Sequence, residues 1–248
     1  MPDGTPVVYV YDGSFEGLLC TVYESYHRRE HPEMIVSREE PQETLYPVVE
    51  IHTNLDQAQK VEAAIEKKIS TYALSLVRHC YYAAVPRREE MVLHFLRLGF
   101  RLGPAVVNHL AHEAVVPVLK TAQLVGREAN AYREFSRFSD YNGALAAIIA
   151  PIHFVLPLVA PYFCDRFPSE QFLIYDENHS TVFLYQDGKR ELLRVEAFEL
   201  PAPSAEEEAY RALWKQFYKS IAIESRINHK RRMGHMPKRY WRHMTEFF

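Results

Sequence analysis

The run Phe172-Leu173-Ile174-Tyr175-Asp176-Glu177-Asn178-His179-Ser180-Thr181-Val182-Phe183-Leu184-Tyr185-Gln186-Asp187-Gly188 carries the clearest structural signal in the 248-residue chain. Two β-branched and aromatic stretches, 172–175 and 181–185, flank a polar turn and read as strands. Asp187-Gly188 is a hairpin signal that leads into a third strand over 192–198. Strands joined by turns this short must run antiparallel.

Working outward, 144–150 reads as a strand and 155–166 as a helix. In the first half, 7–11 is a strand, and Ser14 caps a helix that reaches about Tyr26. A short strand fits 34–36 within a charged surface loop over 27–46, and another fits 48–52 after it. A long helix starts at Asp56 as N-cap. Val61, Ala64, Ile65, Ile69, Tyr72 and Leu76 recur along it at steps of three and four, which gives one apolar face. Further helices fit 88–101 and the stretch from Gly103-Pro104 to Phe138, divided at Pro117. After the proline-rich joint 201–204, Ser204 and Glu207 form a capping-box pattern for a helix reaching about Arg226. A last short helix starts at Pro237. The expected fold class is α+β in a single domain, 1–248. A helical first half packs with a mainly antiparallel sheet, and 204–248 forms a basic helical C-terminal segment.

Hydrophobic residues make up 48% of the chain and mean hydropathy is −0.26, values of a folded globular protein. The start lacks the basic and apolar regions of a signal peptide, so a cytoplasmic location is expected. The apolar stretch 144–163 contains Pro151, Pro157 and Pro161, which suit a strand, turn and helix better than a membrane span. Cys20, Cys80 and Cys164 are far apart and form no CxxC pair, so the expectation is free, buried thiols and no resident cofactor or metal. P-loop, GxGxxG and GxSxG patterns are missing.

Charge is distributed unevenly. Between Arg211 and Arg242 ten cations face one acid, Glu224, a local charge of +9. The chain totals −3, so the remainder carries −12. An acidic body with a basic end suggests a polyanionic partner.

Several separated stretches together resemble a known family. They are Tyr11-Asp12-Gly13-Ser14-Phe15-Glu16-Gly17-Leu18-Leu19, Phe138-Ser139-Asp140-Tyr141-Asn142-Gly143, Asp165-Arg166-Phe167 with Phe172-Leu173-Ile174-Tyr175-Asp176, and the terminal run from Trp214-Lys215-Gln216-Phe217-Tyr218 through Arg226-Ile227-Asn228 to Met236-Pro237-Lys238-Arg239-Tyr240-Trp241. The chain resembles a bacterial family of DNA-metabolism and DNA-repair proteins whose biochemical function is unknown. The resemblance implies a radical-SAM protein similar to spore photoproduct lyase as a partner. Some members of that family carry a uracil-DNA-glycosylase-like extension, and none is expected here after Phe248. The resemblance implies a setting and no catalytic residues.

Lysine and arginine neutralise phosphates, and aromatic faces stack on exposed bases. The nucleic-acid contact is therefore expected at Lys215, Lys219, Arg226, Lys230, Arg231, Arg232, Lys238, Arg239, Tyr240, Trp241 and Arg242. Trp214, Phe217 and Ile221, at helical spacing, read as core. The catalytic candidates, should the chain be an enzyme, are Asp12 and Asp176. Asp12 follows a strand and precedes a helix N-terminus, while Asp176 sits in a turn, and both positions also suit ordinary turn chemistry. His109, His112 and Glu113 share a face if helical, but they lack the HExxH order.

The functional expectation is a DNA-binding accessory to a separate radical-SAM enzyme. Two alternatives stand beside it: a glycosylase-like hydrolase or nuclease acting directly on DNA, and a protein–protein adaptor without DNA contact.

Overall fold

The computed structural model of the chain describes residues 6–40, 42–220 and 228–247. It divides into two compact units, 1–125 and 126–248.

The first unit is built on a strand that the expected α+β layout did not place in a sheet of its own. β1 (Val8–Tyr11) lies between β2 (Met34–Ser37) and β3 (Val48–Glu50) and is parallel to both. The crossover helix α1 (Phe15–His27) returns the chain to the same end of the sheet, which makes β1 and β2 parallel. Tyr9 and Tyr11 are fully buried, and their hydroxyls donate to Glu30 (2.7 Å) and Glu89 (3.0 Å). The desolvation cost of two buried phenols is thereby met inside the fold.

The expected long helix is two. α2 (Leu55–Lys68) is capped by Asn54, whose Oδ1 accepts from Gln57 N at 3.1 Å, so Asp56 is not the cap. Ser70 Oγ accepts from Ala73 N and starts α3 (Thr71–Tyr81) afresh. A capping serine offers the backbone a competing hydrogen bond, and the helix breaks there even though its apolar face continues. α4 (Arg88–Leu102) follows, and its Glu90 carboxylate accepts from Ile35 N on the sheet-edge strand β2 at 3.2 Å. A 3₁₀ turn over Gly103–Asn108 leads to α5 (Val116–Phe135), with Pro117 in its first turn. The core joins Leu18, Ile65, Ile69, Phe95 and Leu96, all almost fully buried.

The second unit holds a five-stranded sheet in the order β4-β5-β6-β7-β8. Its strands are β4 (Ser139–Tyr141), β5 (Ala144–Ile149), β6 (Gln171–Asp176), β7 (Thr181–Gln186) and β8 (Lys189–Arg194). β5 and β6 are parallel because α6 (Leu156–Arg166) carries the chain across between them. With β1–β2, β1–β3 and β5–β6 parallel, the description "mainly antiparallel" is corrected.

Asp187 and Gly188, at φ 49° and 78°, form the tight turn the sequence announces. That turn pairs Gln186 with Lys189, so β8 begins three residues earlier than expected. All six residues of β8 are exposed. Phe138 packs edge-on against Phe163, Phe167 and Phe172, forming an aromatic nucleus under the sheet. Among the described residues no helix is long and apolar enough to cross a membrane.

Candidate functional site

The C-terminal segment is anchored before it is basic. α7 (Ala205–Ser220) begins at Ser204, whose Oγ accepts from Glu207 N at 3.1 Å. Glu207 does not complete the expected capping box. Its carboxylate instead accepts from Asp140 N on β4 (3.1 Å) and from Arg211 Nε (2.8 Å), while Arg211 Nη2 donates to Ser139 Oγ (2.6 Å). Burial pushes the Glu207 pKa upward, but these hydrogen bonds outweigh it and hold the carboxyl below its usual range.

The helix therefore turns a charged face inward. Its aromatics turn outward: Tyr210 is 60% exposed, Trp214 41% and Phe217 51%, so Trp214 and Phe217 are not the core residues their spacing suggests. Ile221 lies outside the described residues.

Beyond the next described residue, Asn228, α8 (His229–His235) starts with Asn228 Oδ1 accepting from Arg231 N at 2.9 Å. A 3₁₀ turn over Lys238–His243 and another over Thr245–Phe247 close the chain. The Trp241 ring stacks on Phe247 with centroids 4.4 Å apart, and the Arg232 guanidinium lies over both rings. Glu246 accepts from Arg137 Nη2 (2.6 Å) and from Trp214 Nε1 (3.2 Å). Tyr240 is buried against Tyr132 and Phe135 and so faces the interior.

Apart from Lys215, the described basic residues fall into three groups. Arg211, Arg239 and Arg242 are paired with carboxylates: Glu207, Glu128 (3.6 Å) and Glu177 (2.8 Å) respectively. Arg232 is held by the ring stack and donates to the Tyr218 hydroxyl at 3.4 Å. Lys230 and Arg231 on α8 and Lys238 after it are exposed, and none of them pairs with a carboxylate among the described residues. Lys215 is half-buried on α7. The Lys219 side chain and all of Arg226 lie outside the described residues.

The two catalytic candidates occupy opposite environments. Asp12 is exposed at the C-terminal end of β1, the central parallel strand, where strands on either side leave a crevice in open α/β sheets. Its Oδ1 accepts from Ser14 N (3.0 Å) and Oγ (2.6 Å), and its Oδ2 accepts from Thr53 Oγ1 (2.7 Å). These bonds outweigh the partial burial that would raise its pKa and hold the carboxyl below its usual range.

Asp176 is fully buried at the end of β6. Its Oδ2 meets His179 Nδ1 at 2.8 Å and its Oδ1 accepts from His179 N at 3.2 Å. Burial raises its pKa against the opposing pull of His179. The pair orients an imidazole whose ring is partly open. Sequence reading picked the aspartate and missed the histidine, although the Asp-x-x-His spacing across a turn was its available signal.

His109, His112 and Glu113 lie between the 3₁₀ turn and α5, outside any helix. Among the described residues no group of three His, Cys, Asp or Glu side chains could hold a metal ion. A cavity of about 450 Å³ in the first unit, lined by Tyr72, Ser75, His79, Leu119, Lys120 and Gln123 among others, contains none of the candidate residues. Residues 86–246 match the family model described as a domain of unknown function, DUF4130. No curated protein matches the chain.

Proposed function

The chain belongs to the DUF4130 family, and from that premise we propose that it is a DNA-binding accessory protein whose C-terminal segment holds the phosphate backbone. One observation carries the reading. Lys230, Arg231 and Lys238 stand exposed with no carboxylate partner among the described residues, on a short segment locked to the body by the Arg232–Trp241–Phe247 stack and by Glu246. Exposed cations on an anchored segment are suited to phosphate, because binding costs little ordering of the backbone and releases counterions. Such contacts give affinity with little sequence information, as an accessory needs. Lesion chemistry then falls to a separate enzyme. The radical-SAM protein proposed for that role comes from the family resemblance.

Fluorescence anisotropy of labelled DNA over a range of salt tests the reading. Three phosphate contacts predict a log–log slope of about −3 on duplex DNA, and alanine at Lys230, Arg231 and Lys238 should flatten it. A slope unchanged in the triple variant would move the contact elsewhere. Binding absent even at low salt would leave a protein–protein adaptor.

The Asp176–His179 pair favours a second reading, an enzyme acting directly on DNA. A buried carboxylate that orients a partly exposed imidazole is a common general-base arrangement. Here His179 would touch substrate and Asp176 would position it. Incubation of DNA carrying uracil or an abasic site with wild type and His179→Ala tests this, and only product that disappears in the variant supports it.

A further inference from the structure

An amphipathic helix normally buries its apolar stripe and wets its charges. α7 departs from this on two of its flanks. Glu207 is buried and Arg211 half-buried against β4, while Tyr210, Leu213 and Phe217 stand 60%, 59% and 51% exposed along one flank. Trp214 completes the row, with its ring 5.8 Å from Phe217 and tilted by 32°. Its indole N–H is fixed on Glu246, so the ring is held in place rather than left to collapse on the surface. Solvent-facing aromatics held this way are costly unless something covers them.

The surroundings indicate what does. The C-terminal end of the row adjoins α8: Arg232 donates to the Tyr218 hydroxyl, and Phe247 packs edge-on against the Tyr218 ring at 5.7 Å. The exposed cations Lys230 and Arg231, with no carboxylate partner among the described residues, therefore sit on the element joined to that end. The N-terminal end of α7 carries the exposed acids Glu206 and Glu208, which repel phosphate. Tyr210 and Trp214 lie one helical turn apart, about 5–6 Å along the axis, so each ring offers a separate platform. Rings beside a basic segment match a ligand with flat apolar faces and a polyanionic backbone. A duplex hides its base faces within the stack, whereas a single strand presents them.

We propose that the ligand of the C-terminal segment is single-stranded DNA, with bases stacked on Tyr210, Trp214 and Phe217 and phosphates on the cations of α8. The proposal rests on the DNA-binding reading above and adds to it the form of the nucleic acid.

The test compares wild type, Tyr210→Ala and Phe217→Ala by anisotropy against a single-stranded deoxythymidine oligomer and a duplex of equal length. Both side chains are exposed and make no hydrogen bond among the described residues, so each variant should fold. The expected result is single-strand affinity lowered about tenfold by each substitution, with duplex affinity unchanged within twofold. Equal binding of both DNAs, unmoved by the substitutions, overturns the stacking proposal and leaves DNA binding intact. Binding of neither DNA overturns the DNA reading itself. Sedimentation of the same samples covers the remaining occupant: concentration-dependent self-association lost in both variants, with DNA affinity unmoved, assigns the row to a second copy of the chain and overturns the proposal.

Discussion

Glu246, near the C-terminus, accepts from Arg137 Nη2 at 2.6 Å across 109 positions of sequence, and its side chain is only 3% exposed. Burial alone would raise its pKa, but the arginine outweighs it and the carboxyl sits below its usual range. A depressed carboxylate contributes stability that is present above the ordinary glutamate range and lost as pH falls through its folded-state pKa. Glu246→Gln should cost about 2 kcal/mol at neutral pH, with the deficit narrowing in acid. Urea titrations at neutral and acidic pH measure it, and an equal deficit at both would sink the linkage.

Carboxylate-paired and exposed cations should separate stability from binding. Arg211→Ala leaves Glu207 buried without its partner and should destabilise the fold by about 2–3 kcal/mol. Lys230→Ala should change stability by less than about 0.5 kcal/mol while weakening DNA binding. Thermal melts read the first effect and anisotropy the second.

Gly17 lies against Asp12. A Cβ there would overlap Asp12 Oδ1 and come within 2.9 Å of Thr53 Oγ1 and of the Tyr11 ring. Gly17→Ala should destabilise the first unit by about 1–3 kcal/mol through overpacking. Gly234→Ala in α8 meets nothing within 4 Å and should be neutral or gain up to about 1 kcal/mol. Chemical denaturation of both variants checks the contrast.

All three thiols are buried, and burial pushes the Cys80 thiol up to about 12. Native protein should react slowly with a thiol reagent at pH 8, and urea should release three fast equivalents. One fast equivalent before denaturant would contradict the burial.

Much of this architecture was legible. The turn at Asp187-Gly188, the strands at 172–175 and 181–185, and the helices beginning at Phe15 and Arg88 follow from turn chemistry and spacing. The parallel pairing of β1 was not. Val8-Tyr9-Val10-Tyr11 reports burial on both faces and nothing about the direction of its neighbours, and β3 is only three residues long. β4 escaped notice for the same brevity, although Asn142 and Gly143, at φ 57° and 89°, make a turn as tight as the later one.

At the candidate site, composition found the basic segment but could not sort its members. Which arginine meets a carboxylate depends on Glu128 and Glu177, which are distant in sequence. The spacing of Tyr210, Trp214 and Phe217 revealed a stripe. Only the tie of Glu207 to Asp140 N decided that the stripe looks outward.

Strand β8 closes one side of the second sheet with its backbone toward water, an invitation for other chains to add on as further strands. Lys189, Arg190, Glu191 and Arg194 occupy four of its six positions. A copy aligning there in register would set cation against cation and bury charge with no solvent to screen it. The guard at this rim concerns the crowded state rather than the single molecule. Neutral residues at these four positions would leave folding nearly untouched and open a route to fibrils.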